Sequence, residues 1–276
     1  MNNFLPAVLT IAGSDSGGGA GIQTDLRTFN AFKVYGCSAI TAVTSQNPFE
    51  VRRIDILPIE SVKNQIESVL DVFPVRFAKT GMLGDGKTVE CVAMIAEKYD
   101  LNLIVDPVMV STSGTKLLED SAISALQEKF FPLAQWLTPN IPEAELLLNC
   151  KLTTSDDLKE AAMQLYNKYK CNVLLKSGHA IHADKVTDIV CFEGELYELS
   201  SPVVEIHGNT AHGTGCTLSA AIAANFASGK NWQQSLTEAK AFVYGSLAEN
   251  RMLNDNLSQM YPPVKNYSNL ITWEKL

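Results

Sequence analysis

The chain has 276 residues, 46% of them hydrophobic and 19% charged, with a formal net charge of −8 and a sequence pI near 5.1. That length can bury a large core, and the acidic balance gives the surface as a whole no attraction for nucleic acid or an anionic membrane. No run approaches the roughly 18 apolar residues needed to span a bilayer, and the opening MNNFLPAVLTIAGSDS lacks a basic leader, so a soluble, cytoplasmic protein is expected.

Apolar runs of strand length alternate with longer amphipathic stretches. AVLTIAG (7–13) reads as a buried strand running into the glycine cluster GSDSGGGAG (13–21). Ile22, Leu26, Phe29 and Phe32 then recur at helical spacing. CSAITAV (37–43) is a second strand, ESVKNQIESVLDVF (60–73) a helix, and VRFAKT (75–80) a third strand. Val89, Val92, Ala96 and Tyr99 mark a helix, and LNLIVD (101–106) the next strand. A helix near 119–130, a strand at QWLT (135–138), helices near 141–148 and 155–169, and a strand at CNVLLKSG (171–178) follow. DKVTDIVCFEGELYELSS (184–201) predicts a hairpin turning at Glu193 and Gly194. GTGCTLSAAIAANFASG (213–229) is a small-residue helix entered from glycines, and one more helix spans about 233–250. The tail after about 252, with Pro262 and Pro263, is expected to be irregular. Repeated strand–helix units predict an α/β domain with a mostly parallel sheet covered by helices on both faces, and a single domain over 1–276.

The six cysteines are scattered, with no C-x-x-C pair, and are expected to be free thiols. His179 and His182 form one H-x-x-H, but no neighbouring ligand completes a zinc site, and they are read as exposed loop histidines.

Three stretches fall at strand ends or helix starts, where open α/β sheets bind ligands. GMLGDGKT (81–88) fits the phosphate-loop pattern G-x-x-x-x-G-K-[ST] through Gly81, Gly86, Lys87 and Thr88, with Asp106 where a Walker B carboxylate is sought. In HGTGCT (212–217), Gly213 and Gly215 let backbone amides approach a ligand, and the helix start adds unpaired N–H groups. That is an anion hole suited to a transferring phosphoryl group, with Cys216 in a first turn where a thiol's pKa is expected to fall. The same residues also fit a tight turn into a packed helix, as Ala220, Ala221, Ala223 and Ala224 suggest, and the motif alone does not decide. GSDSGGGAG is equally open: Asp15 and Asp25 either contact a polar substrate or cap the helix.

Together these motifs are more specific. LTIAGSDSGGGAGIQTDLRTF, TAVTSQNP (41–48), KTGMLGD (79–85), VDPVMVSTSG (105–114), LTPNIPEAELL (137–147), LLKSGH (174–179) and HGTGCTLSAAIAA (212–224) occur in that order. This closely resembles the hydroxymethylpyrimidine and hydroxymethylpyrimidine-phosphate kinases of thiamine synthesis, in the ribokinase-like superfamily, over roughly 240 residues. The resemblance implies a three-layer α/β/α kinase without a Walker A loop, using ATP and Mg²⁺ and forming a homodimer. Lys87 and Thr88 then match the phosphate-loop pattern by accident.

The resemblance assigns Gly213, Thr214 and Gly215 to the γ-phosphate and Cys216 to accepting the substrate hydroxyl proton or to positioning. It carries Lys176 to the ATP phosphates as a point charge and Asn140, Thr138 and Asp188 to the nucleotide side. Glu143, with Asp106, is expected to hold Mg²⁺ largely through water. Lys240 is read either near the adenine or, preferably, as a surface helix lysine. Gly13, Asp25, Gln46, Met82 and Val108 line the substrate pocket, with Met109 a further candidate there. A glutamine amide presents donor and acceptor side by side, the complement of an aminopyrimidine edge. The expected reaction phosphorylates 4-amino-5-hydroxymethyl-2-methylpyrimidine and then its monophosphate. A pyridoxal kinase of the same family is the rival, against which Gln46 argues. A phosphate-loop switch protein predicts a requirement for Lys87. A non-catalytic ligand-binding protein sits poorly with Cys216, Lys176 and Glu143 retained together.

Overall fold

The computed structural model describes residues 4–109, 118–178, 184–205, 211–255 and 257–276. β1 (Ala7–Asp15) is buried along nearly all its length, as a strand covered on both faces must be. It leads to α1 (Gly21–Ala31), β2 (Tyr35–Asn47), β3 (Glu50–Ile56), α2 (Ile59–Leu70) and β4 (Phe77–Thr80). Next come α3 (Gly86–Lys98), β5 (Asn102–Val105) and α4 (Asp120–Ala125). α4 loosens into a π turn at Leu126–Phe130 and a 3-10 turn at Phe131–Leu133, where Pro132 supplies no N–H to continue it. β6 (Ala134–Leu137), α5 (Ile141–Leu148), α6 (Ser155–Tyr169) and β7 (Asn172–Leu175) follow. The chain ends with the hairpin β8 (Lys185–Phe192) and β9 (Glu195–Pro202), then α7 (Thr214–Ala227), α8 (Trp232–Ala248), a small hairpin β10 (Arg251–Asn254) and β11 (Leu257–Gln259), and β12 (Thr272–Lys275).

The main sheet has the order β12-β9-β8-β7-β6-β5-β4-β1-β2-β3. From β7 through β2 every neighbouring pair is parallel, and the strands outside that block are antiparallel. Alternation along the strands splits the core into two layers. Leu9, Ile11 and Ala78 face α2, α3, α5 and α6, whereas Val8, Ile104, Trp136 and Leu174 face α7 and α8. This is the three-layer α/β/α arrangement of ribokinase-like proteins. β2 leaves β1 on one side and β4 returns on the other, so strand order reverses at β1, the position where such sheets open a crevice.

One expectation needs correction, and one strand had no expectation at all. The tail is not irregular: β12 pairs antiparallel with β9, Ile271 is buried, and Trp273 packs edge-on against Trp232. β3 escapes sequence reading because all seven of its residues are exposed, so no buried face imposes an alternation. His179 and His182 lie outside the described residues.

Candidate active site

The phosphate-loop match fails on geometry. Gly86, Lys87 and Thr88 do open α3, but Asp85 caps that helix, its carboxylate accepting from the Thr88 N–H at 2.8 Å. A carboxylate therefore occupies the position an anion would need, and Lys87 points to solvent. α7 differs: Gly213 is its N-cap at φ +84°, and no side chain caps it. Its first-turn amides have no intrahelical acceptor, and the Thr214 N–H makes only a long 3.4 Å bond to the Ala211 carbonyl, weak enough to yield to a ligand oxygen. A Cβ on Gly213 would lie 1.9 Å from the Gly19 carbonyl oxygen, so only glycine lets the front loop and this turn meet.

A charged group stands against the turn. Lys176, just past β7, pairs with Asp106 Oδ1 at 2.9 Å, and Asp106 follows β5. A Cβ on Gly215 would lie 3.2 Å from Lys176 Nζ and 3.3 Å from Asp106 Oδ2, so the bare glycine keeps both within reach of whatever the turn holds. Burial pulls the Lys176 ammonium down, but Asp106 and Glu143 outweigh it and hold it charged.

Asn140 and Glu143 form a capping box on α5: Glu143 N–H donates to Asn140 Oδ1 at 2.9 Å, and Asn140 N–H to Glu143 Oε2 at 2.8 Å. Met109 N–H donates to Glu143 Oε1 at 3.2 Å. Burial pushes this carboxyl up to about 7, with Asp106 adding to the effect and Lys176 opposing it. Among the described residues no three His, Cys, Asp or Glu side chains converge as a metal cage. Both Glu143 oxygens already accept amides, so a cation here would meet Glu143 through water, a fit for magnesium, which keeps its waters and leans on substrate phosphates.

Cys216 lies half-buried between the starts of two helices, α7, which carries it, and α1, whose Gly21 N–H reaches the thiol. The expected fall in its pKa does not occur. Burial pushes the thiol up to about 11, outweighing the nearby Lys79 ammonium and the Gly21 N–H.

On the substrate side Met82 lies over Gly13, where a Cβ would come 2.8 Å from its Cε. Val108 adopts φ +45°, a left-handed conformation that a β-branched residue takes only under constraint. Gln46 is half-buried at the end of β2, its backbone N–H and carbonyl bonded to the Ser16 hydroxyl at 2.9 and 2.8 Å. Met109 is fully buried and fills core.

The structure moves four residues away from their expected settings. Asp25 is fully buried, held by Lys79 Nζ at 2.9 and 3.0 Å and by the Thr10 hydroxyl at 2.6 Å, so it lies beneath the pocket. Thr138 is likewise buried, its hydroxyl donating to the Val105 carbonyl at 3.3 Å. Asp188 has both oxygens engaged, by Ser177 N–H at 3.0 Å and Lys240 Nζ at 2.7 Å. Lys240 is therefore no surface lysine: it is buried and braces the loop after Lys176 through Asp188.

Sequence reasoning missed Lys79, Asp15 as a loop organiser, and His212. Lys79 is fully buried, a strand-end lysine whose only sequence signal is its place in KTGMLGD. Asp15 accepts the Gly17 and Ala20 N–H groups, each at 2.8 Å. Burial pushes its carboxyl up, but His212 and these two donors hold it below the usual carboxylate range. The histidine lies 3.5 Å from Asp15 Oδ2 and 3.3 Å from Gln46 Nε2.

A phosphomethylpyrimidine kinase family model matches residues 15–261. A hydroxymethylpyrimidine/phosphomethylpyrimidine kinase of Haemophilus influenzae is 41% identical over 252 residues, covering 90% of this chain and 93% of the relative. Among solved structures, the pyridoxal kinase of Staphylococcus aureus superposes with a TM-score of 0.88 at 31% identity, over 99% of this chain and all of that one. A phosphomethylpyrimidine kinase of Clostridium difficile superposes with a TM-score of 0.76 at 36% identity, over 87% and 98%. No helix among the described residues is long and apolar enough to cross a membrane.

Proposed function

The chain belongs to the phosphomethylpyrimidine kinase family, and from that premise we propose that it transfers the γ-phosphoryl group of ATP to 4-amino-5-hydroxymethyl-2-methylpyrimidine and then to the resulting monophosphate. The observation that carries this reading is the uncapped start of α7, with the Lys176–Asp106 pair against Gly215 on one side and Gln46 beyond His212 on the other.

Phosphoryl transfer needs in-line positioning and charge neutralisation more than covalent chemistry. The amides of Gly213, Thr214 and Gly215 receive the γ-phosphate oxygens, and Lys176 adds a point charge. Asp106, and Glu143 through water, would hold Mg²⁺, which supplies charge neutralisation across the phosphates when bound. Asn140 keeps Glu143 in place through the capping box, and Thr138 and Asp188 support the nucleotide side from behind. Gln46 reads the aminopyrimidine edge, with Gly13, Met82 and Val108 against the ring and Asp25 below. Cys216 faces the hydroxymethyl group as proton acceptor. With its thiol near 11, it acts once the substrate and a neighbouring cation favour the thiolate.

The second reading, a pyridoxal kinase, is favoured by the close superposition on the Staphylococcus aureus enzyme. The higher identity to pyrimidine kinases and the Gln46 edge favour the first. Coupled ATP-consumption assays with both alcohols decide: pyridoxal turnover far above pyrimidine turnover overturns the assignment. We also infer a homodimer joined through the β2–β3 edge, where Val51, Ile54 and Ile56 are exposed beside Phe49. ATP dependence favours the cytoplasm as its compartment.

A further inference from the structure

His212 stands immediately before the anion-holding glycines, yet its imidazole points at the opposite wall of the cleft. Its Nε2 lies 3.5 Å from Asp15 Oδ2 and 3.3 Å from Gln46 Nε2, so the orientation that hydrogen-bond chemistry favours exchanges the two ends of that amide. The ring packs close to the front loop: a Cβ on Gly19 would come 2.7 Å from His212 Cδ2, so glycine there leaves room for the imidazole. Asp15 is buried and is held ionised by the Gly17 and Ala20 amides as well as by the histidine.

A carboxylate only accepts hydrogen bonds. The favourable arrangement therefore places a hydrogen on His212 Nε2, directed between Asp15 and Gln46. An amide NH₂ facing that N–H would set donor against donor. The oxygen and nitrogen of a glutamine amide have nearly the same shape, and hydrogen-bond logic decides which one faces the imidazole. Here it selects the oxygen. The Gln46 backbone is already tied to Ser16 through both its N–H and its carbonyl, so the side-chain amide is the freedom that remains.

We propose that His212 is a specificity-determining positioning residue: braced by Asp15, it turns the Gln46 amide oxygen toward itself and the NH₂ group toward the bound ring. The NH₂ then donates to a ring nitrogen that offers a lone pair, and the oxygen keeps a second lone pair for an exocyclic amino group. An aminopyrimidine edge satisfies both. Pyridoxine, overlaid on its ring methyl and reacting hydroxymethyl, has a second hydroxymethyl where the pyrimidine has its amino group and a phenolic C–OH where it has the ring nitrogen. It therefore lacks that paired edge and leaves a polar group of the site poorly matched, which discriminates by roughly tenfold or more. This rests on Gln46 being the residue that reads the pyrimidine.

Two measurements test it. In the first, wild type, His212→Leu and His212→Gln are compared in steady-state kinetics with the aminopyrimidine alcohol and with pyridoxine at fixed ATP. His212→Leu is expected to lose about tenfold in kcat/KM for the pyrimidine, mainly through KM, with the KM for ATP unchanged and pyridoxine little affected. His212→Gln, which still donates to Asp15, restores most of the preference. Equal losses for both alcohols, or no restoration by His212→Gln, overturn the proposal. A wild type that ignores the pyrimidine overturns the substrate assignment instead. The second measurement needs no substrate: the ¹⁵N imidazole resonances of His212, assigned by their loss in His212→Gln, should show a hydrogen on Nε2, and a bare Nε2 overturns the proposal.

Discussion

At the scale of single residues, the site is defined by groups whose surroundings differ from what their sequence neighbours suggest. Cys216 follows a glycine turn at a helix start, a setting that usually acidifies a thiol, but local burial dominates and lifts it to about 11. A raised thiol is protonated at neutral pH, and its reactivity appears only as pH climbs. Alkylation of Cys216 by iodoacetamide should therefore be slow at pH 7.5 and accelerate toward pH 10, with exposed Cys150 as the internal reference. Equal rates for the two thiols at pH 7.5 would refute the burial argument. Val108 is a second such residue. Its φ of +45° stores on the order of 1–3 kcal/mol in a β-branched side chain. Val108→Gly should relieve that strain, offset by about 1 kcal/mol of glycine backbone entropy, so stability to urea should stay level or rise. The KM for the pyrimidine should rise as the ring loses its packing surface. A marked loss of stability would mean that Val108 packing outweighs the strain.

At the scale of elements, the decisive comparison is between two helix starts. Both α3 and α7 open on Gly-x-Gly or Gly-Lys-Thr sequences that invite a phosphate, and composition does not separate them. The cap does: Asp85 closes α3, while no side chain closes α7. Asp85 was in plain view in GMLGDGKT, but a phosphate-loop pattern treats that position as free, so the match hid the residue that disqualifies it. Lys87→Ala should accordingly leave the KM for ATP unchanged. Lys176→Ala should cut kcat/KM by a hundredfold or so, as expected when a charge placed on a transferring phosphoryl group is removed. The reverse ranking would restore the phosphate-loop reading. α5 offers a pH test. The folded-state pKa of Glu143 is raised from 4.5 to about 7, so the native state binds the extra proton. Its contribution to stability is complete below the unfolded value and is lost as pH rises through about 7, a loss on the order of 3 kcal/mol. In nucleotide-free protein, the urea-unfolding gap between wild type and Glu143→Gln should narrow or reverse between pH 5 and pH 7.5. A gap that widens instead would show that Glu143 is ionised more easily when folded.

At the scale of the whole molecule, the central sheet and its helices were legible because β1 and β4 through β7 are largely buried, buried residues alternate along β2, and the helices carry apolar stripes. The two ends were not. β3 is exposed on both faces, so its backbone pairing with β2 sets it without leaving a pattern in the side chains. β12 is four residues long, and its strand character comes from β9, its partner across the sheet edge, some seventy positions earlier in the chain. For the same reason the buried pairs Lys79–Asp25 and Lys240–Asp188 were invisible as pairs: 54 and 52 residues separate their members, and only the fold brings them together. These ends lead to a final prediction about assembly. β3 is the last strand of the sheet and carries Val51, Ile54 and Ile56, each between 41% and 48% exposed, with Phe49 at 72% beside them. An open edge with this much apolar surface is an association hazard unless another chain covers it. Its charges, Glu50 with Arg52 and Asp55 with Arg53, are paired within the strand, so they do not repel a second copy. Ile54→Lys places an unpaired charge at the middle of that face. Sedimentation velocity should then show a homodimer for wild type and a monomer for the variant, with unfolding of the isolated fold little changed, since Ile54 is already exposed. A variant that still sediments as a dimer would place the contact elsewhere, and a monomeric wild type would remove the dimer altogether.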